Sequence, residues 1–218
     1  MSQLIFKFPF KTTYFEKDFF VSSNNFEAYK LIESWPKWPN KFINIFGPNG
    51  CGKTHLINIL DKKIKLLTID ANKFDDKINK LVENFDCIVI DNYEENINEN
   101  LLYSFINQVL QFNKSVIINS SNSIKNLKIK LIDLKSRLDS FLEIKIDLPT
   151  DDLIRVIISK TFSDKQVDLS NKNLEFIIKN IERSYEKVFK FIKDIDDLSL
   201  SSGKAININL IKKVLLNE

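Results

Sequence analysis

Between residues 41 and 146, short apolar runs rich in β-forming side chains alternate with stretches in which apolar residues recur every three or four positions. The runs at 41–46, 65–70, 87–90, 115–118 and 142–146 predict strands. The segment 54–60, the series Phe74, Ile78, Leu81, Val82, Phe85, and the series Leu101, Leu102, Phe105, Ile106, Val109, Leu110 predict helices between them. Ahead of the first strand, Ala28, Leu31 and Ile32 share one helix face, and the two prolines of Trp35-Pro36-Lys37-Trp38-Pro39-Asn40 end that helix in a loop. Alternation of this kind predicts a parallel sheet covered on both faces, with ligands at the carboxyl ends of its strands. From Pro149 the pattern changes to amphipathic helices alone, at 152–162, 171–181, 184–198 and 206–216, with Thr150, Ser170 and Asn207 as caps. The expected fold class is therefore α/β: a parallel-sheet base over 12–149 and a small all-helical lid over 150–218. The boundary falls near Leu148 to Thr150, and residues 1–11 stand apart.

Between the first strand and the helix that follows it lies Gly47-Pro48-Asn49-Gly50-Cys51-Gly52-Lys53-Thr54, which fits the phosphate-loop pattern G-x-x-x-x-G-K-[ST] at every fixed position. Three of the chain's four glycines are concentrated here, which argues against an incidental turn. Glycine permits positive φ and close approach of the main chain, so N–H groups of Asn49, Gly50, Cys51, Gly52 and Lys53 can surround an anion at a helix N-terminus. Lys53 is placed to reach the β- and γ-phosphates of a nucleotide, and the Thr54 hydroxyl to ligate Mg²⁺. Asp91 closes the apolar run 87–90, the position from which an aspartate holds Mg²⁺ in phosphate-loop nucleotidases; a helix cap or turn is the plainer reading of the same residue. His55, just inside the helix, reads as a packing or surface residue rather than a base, and Glu94, Glu95 and Glu99 as a solvated acidic face.

Composition narrows the picture modestly. A net charge of +3 from 32 basic and 29 acidic residues gives no strong nucleic-acid footprint. Cys51 and Cys87, one in the phosphate loop and one in a strand, suit reduced thiols. No charged-then-apolar leader is evident, and the uncharged run 101–113 falls short of the ~20 residues of a spanning helix, so a cytoplasmic protein without a membrane partner is expected. At the amino terminus, Gln3, Leu4, Phe6 and Phe8 read either as an edge strand or docked tail, or as a linear peptide for a partner's groove.

The phosphate loop, the aspartate-ended strand and the trailing helical lid together resemble the AAA+ ATPases. Within them, Leu134-Lys135-Ser136-Arg137-Leu138-Asp139 is similar to the segment carrying the arginine finger in the bacterial replication initiator DnaA, and closer still to its regulator Hda. Residues 18–21 followed by Asn25 resemble the adenine-side approach of that family, implying nucleotide contacts at Phe20, Val21 and Asn25, with His55 beside them. The resemblance further implies ADP or ATP with Mg²⁺ at Thr54 and Asp91, and Arg137 acting in trans on ATP held by DnaA. It also implies a sliding-clamp motif at Gln3, Leu4, Phe6 and Phe8, with DNA reached through the clamp. Ser121 or Asn122 falls in the family's sensor region, facing the γ-phosphate or serving a turn. Two departures stand out: Asn92 occupies the place of the acid that positions water, which implies weak intrinsic hydrolysis, and Glu186 occupies that of the lid's sensing arginine. Homodimer formation is left open. A helicase-loader or clamp-loader-like AAA+ ATPase and a soluble phosphate-loop kinase are the alternatives.

Overall fold

A computed structural model describes residues 19–94, 96–167, 169–203 and 205–216. The chain divides into two compact units, one spanning Tyr14–Asp147 and the other containing the segment from Leu148 onward.

In the first unit, strands β1 (Phe42–Phe46), β2 (Leu66–Asp70), β3 (Cys87–Tyr93), β4 (Ser115–Ser120) and β5 (Leu142–Lys145) form a five-stranded sheet in the order β2-β3-β4-β1-β5. Every pairing is parallel. The predicted sheet and its coverage are thus present, and the near-continuous apolar character of the central strands has its physical reason in burial on both faces. Ile43, Ile45, Ile88, Val89, Ile90, Val116, Ile117 and Ile118 are all fully buried. Helices α1 (Phe26–Glu33), α2 (Lys53–Asp61), α3 (Glu99–Gln111) and α4 (Ile132–Asp139) cover the sheet's faces and edges. Asn44, in the middle of β1, is buried without penalty: its Nδ2 donates to the Ile118 carbonyl at 2.8 Å and to Ser120 Oγ at 2.9 Å, and its Oδ1 accepts from the Ile124 N–H at 3.2 Å.

Two expectations are corrected. The helix predicted from the spacing of Phe74 to Phe85 is instead a chain of short 3₁₀ turns, Ala71–Lys73, Asp76–Lys80 and Val82–Asn84. Asp91 does not end its strand, because β3 continues to Tyr93 beyond an irregularity.

The second unit holds α5 (Asp151–Asp164), α6 (Asn171–Asn180), α7 (Tyr185–Ser202) and α8 (Ile208–Leu216). Its core is built from Ile154, Ile158, Phe162, Ile177, Val188, Phe191, Ile195 and Ile211. Thr150 Oγ1 accepts from the Leu153 N–H, Ser170 Oγ from Asn173 and Asn207 Oδ1 from Asn209 and Leu210, so each residue read as a cap caps. No helix among the described residues is long and apolar enough to cross a membrane.

Candidate phosphate-binding site

The loop after β1 turns sharply through Gly50 (φ 80°) and Gly52 (φ 100°) before α2 begins at Lys53. Both are left-handed conformations that glycine adopts without strain. Gly47 is required for a different reason: a Cβ there would lie 2.5 Å from the Ile146 carbonyl oxygen, just past β5. The first turn of α2 presents N–H groups that no carbonyl within the helix can satisfy, at the helix's positive end. Lys53 Nζ donates to the Gly47 carbonyl at 2.6 Å and the Pro48 carbonyl at 3.3 Å, so a phosphate would replace loop carbonyls as its acceptors. Cys51 is buried beneath the loop, and burial pushes its thiol above the ordinary range despite nearby Lys53, so it fills space rather than reacts. Cys87, likewise buried and unpaired, is shifted upward for the same reason.

Thr54 and Asp91 meet as the motif requires, the Thr54 hydroxyl donating to Asp91 Oδ2 at 3.3 Å. Asp91 Oδ1 accepts from Asn119 Nδ2 at 3.1 Å. Asn119 is fully buried and its Oδ1 has no partner, an orphan that costs free energy unless a donor from the site's open side satisfies it. Reasoning from sequence missed this residue; the one signal was a polar side chain breaking the apolar run of β4.

A bulge sets the neighbouring geometry. Ile90 faces Ile118 and Tyr93 faces Ser120, so β3 carries one residue more than β4 between those pairs, and Asn92 takes up the excess in a left-handed conformation (φ 58°). Its Nδ2 donates to Asp70 Oδ2 at 2.9 Å, while Asp70 Oδ1 accepts from the Asn72 N–H at 2.9 Å and Nδ2 at 3.0 Å. Asp70 is in register with Asp91, so the two carboxylates stand side by side at the carboxyl edge of the sheet. The hydrogen bond from Asn92, followed by that from the Asn72 N–H, holds the Asp70 carboxyl below its ordinary range. Asp70 is thereby a poor proton acceptor, and Asn92 offers none.

The donor set fits Mg²⁺. Thr54 and Asp91 present a hydroxyl and a carboxylate within hydrogen-bond reach of each other, and Mg²⁺ takes few protein oxygens together with waters and substrate phosphates. Among the described residues no cluster of three or more histidine, cysteine or carboxylate ligands exists, so a cation here would draw on a phosphate ligand rather than a protein cage.

Other predicted residues are distributed around this centre. Phe19 stacks on Tyr29 at 5.8 Å and meets His55 edge-on at 5.2 Å, which makes His55 a packing partner of the segment leading to Phe20 and Val21. Asn25 is buried, its Oδ1 accepting from the Ser22 N–H and its Nδ2 donating to the Phe20 carbonyl, each at 2.9 Å. It therefore closes the turn that displays Phe20. The Ser121 hydroxyl donates to Glu94 Oε1 at 3.3 Å rather than to Asp91, and the Asn122 carbonyl accepts from Ser120 Oγ at 2.6 Å. In the second unit, Arg183 pairs with Asp151 at 2.8 Å, and Glu186 is exposed in the first turn of α7. Gln3, Leu4, Phe6 and Phe8 lie outside the described residues.

Arg137 sits elsewhere. It is exposed on α4, which buries Leu134 and Leu138, and its guanidinium has no ion-pair partner among the described residues. The chain passes from α4 directly into the start of β5, and Asn40, just before β1, donates to the Ser140 carbonyl at 2.9 Å. Arg137 thus lies by the amino-terminal rim of the sheet, while the phosphate loop lies at the carboxyl ends.

Glu99, expected to be merely solvated, braces α4: its carboxylate accepts from the Lys130 N–H at 3.0 and 3.1 Å and the Leu131 N–H at 2.7 Å. These bonds, Lys130 first, hold its carboxyl below the ordinary range. A depressed carboxyl contributes fully above its unfolded pKa and is lost as pH falls through the folded value. At neutral pH, Glu99→Gln should therefore raise amide exchange at Lys130 and Leu131 several-fold while α2 stays protected. Unchanged exchange at those two amides would show that the brace is unnecessary.

Comparison with known proteins agrees with the geometry. No family model matches the chain. The chromosomal replication initiator protein DnaA of Borreliella burgdorferi is 27% identical over 271 residues, covering 98% of this chain and 55% of that protein. Domain III of the Thermotoga maritima replication initiation protein DnaA has the same fold, with a TM-score of 0.77 at 19% identity over 96% of this chain and 98% of that one. The chain is similar to DnaA in sequence and shares the fold of its domain III. A second neighbour, replication initiator DnaA bound to AMPPCP and single-stranded DNA, has a TM-score of 0.70 at 18% identity, covering 87% of this chain and 66% of that one. The chain spans about half the length of the curated relatives it matches.

Proposed function

We propose that this chain is a nucleotide-holding regulator of replication initiation, of the Hda type. It keeps ADP or ATP in its phosphate loop, is tethered to the DNA polymerase sliding clamp, and lends Arg137 to ATP bound by DnaA. The observation that carries the reading is the division of labour within one fold: Lys53, Thr54, Asp91 and Asn119 gather at the carboxyl ends of the strands, whereas Arg137 is displayed beside the opposite rim with no ion pair among the described residues. A guanidinium so placed is suited to another subunit's γ-phosphate rather than to its own. There it would stabilise charge developing on the transferred phosphoryl group.

In its own site, the loop N–H groups and Lys53 bind and orient the polyphosphate, while Asn119 Nδ2 holds the Asp91 carboxylate in place. Mg²⁺, when bound, neutralises phosphate charge. Asn92, tied to Asp70, supplies no base, and intrinsic turnover is accordingly slow. Support for nucleotide binding also comes from the structural neighbour solved with AMPPCP. The whole reading is tested by DnaA-ATP hydrolysis on clamp-loaded DNA with and without this protein. Acceleration is expected, and an unchanged rate overturns it.

The clamp tether is assigned to Gln3, Leu4, Phe6 and Phe8 on the peptide pattern alone. Deleting residues 1–8 should abolish capture by the clamp and leave nucleotide affinity unaltered. Retention of capture would move the tether elsewhere.

A further inference from the structure

At the amino-terminal rim of the sheet, the first unit contains a cavity of about 320 Å³ lined by Trp35, Pro36, Trp38, Lys41, Asp86, Phe112, Asn113, Lys114 and Ser115. Lys41 precedes β1, Asp86 precedes β3 and Ser115 opens β4, so this cavity lies at the end of the sheet away from the phosphate loop. Trp35 and Trp38 meet edge to face with ring centres 4.6 Å apart, and Phe112 is exposed beside them. Trp38 is committed to the fold, since its Nε1 donates to the Leu31 carbonyl at 2.8 Å. The Trp35 indole N–H, by contrast, has no acceptor among the described residues.

The charges are equally uneven. Lys41 Nζ donates to the Asn113 carbonyl at 3.0 Å and to the Asn113 Oδ1, both neutral acceptors that carry no countercharge. Neither Lys41 nor Lys114 has an ion-pair partner among the described residues. Asp86 is the only carboxylate in the lining, and its Oδ2 accepts from the Lys65 N–H at 3.2 Å. Packing of the tryptophan loop onto the body accounts for Trp38 but not for an indole donor without an acceptor, beside two ammonium groups without a countercharge, among the described residues.

We infer that this cavity is a second ligand site, for a nucleoside phosphate whose base stacks against Trp35 and Phe112 and whose phosphate is held by Lys114 and Lys41. Aromatic faces beside cations suit a planar base with an attached anion, and the cavity is at the lower end of the size of small-ligand sites. Asp86 supplies an acceptor for a base's amino group. The ligand's source is either a free mononucleotide or one residue of a single strand. The inference is independent of the regulatory reading, because it uses neither the phosphate loop nor Arg137.

The chain's two tryptophans both line this cavity, so intrinsic tryptophan emission reports on it directly. Full-length protein carrying Lys53→Ala, to silence the phosphate loop, is titrated with AMP in one arm and a short oligothymidylate in the other. Saturable quenching is expected in at least one arm, weakening with added salt. Quenching by AMP identifies a mononucleotide site; quenching by the oligonucleotide alone identifies a strand site. Lys114→Gln, a change at the cavity's rim, should weaken binding at low salt about tenfold, and Trp35→Leu by about tenfold or more, the loss expected for one stacking ring. No quenching in either arm, quenching undiminished in Lys114→Gln, or quenching only by an acidic peptide overturns the inference.

Discussion

Lys53→Ala should weaken tight binding of ADP and ATP by roughly 10²-fold or more while melting as a folded protein. The ammonium is bonded to the Gly47 and Pro48 carbonyls, and in a complex it would exchange these for two phosphate groups. Hydrogen bonds between charged partners contribute about 1.5–3 kcal/mol each, so losing two lowers affinity by at least roughly 10²-fold. The fold does not depend on that side chain: Gly50 and Gly52 set the loop's path, and Leu56, Ile57, Ile59 and Leu60 anchor α2 in the core. Equilibrium dialysis with Mg²⁺ present, alongside a thermal melt, measures both quantities. Affinity within threefold of the parent would mean that the phosphate loop is not the nucleotide site.

Arg137→Ala should behave in the opposite way, binding nucleotide normally and losing its effect on a partner. Leu134 and Leu138 secure α4, Glu99 braces its approach, and the guanidinium itself contributes no ion pair among the described residues, so its removal costs the fold little. An arginine supplied in trans is worth ~10³–10⁵ in the rate of phosphoryl transfer, and a loss of that order is expected in DnaA-ATP hydrolysis under single-turnover conditions with clamp-loaded DNA. Arg137→Lys should not restore it, because an ammonium lacks the planar fork of donors. Full stimulation by the alanine variant would remove Arg137 from the mechanism.

The strands were legible because continuous apolar runs have one economical home, the middle of a parallel sheet, and each such run became a strand. The stretch from Phe74 to Phe85 misled because helical spacing was weighed without its polar residues. Asp70 and Asp75 accept from the backbone N–H groups of Asn72 and Lys77, competing with α-helix, and of the periodic set Ile78 and Val82 are buried while Phe74 and Phe85 pack against the core only in part and Leu81 is exposed. The loop's place between β1 and α2 followed from fixed spacing, whereas Asp91 meets Thr54 although the strand continues past it to Tyr93. Asn119 did not follow in this way, since apolarity counts it as an interruption; its meaning appears once β4 lies beside β3 and the amide meets Asp91. Glu99 and Lys130 are 31 residues apart, a tertiary contact that local pattern cannot show.

The polar edge beyond the bulge also bears on how such a protein would be reset. Asn92 is fastened to Asp70, and Asp70 is further engaged by Asn72, which in turn accepts from Asn96 at 2.8 Å, so the three amides take no proton from water and the Asp70 carboxyl is held below its ordinary range. Under the slow intrinsic turnover proposed above, a captured nucleotide would leave by dissociation before it is consumed. The lifetime of the loaded state would follow cellular nucleotide exchange, and the protein would work as a standing component rather than a timer.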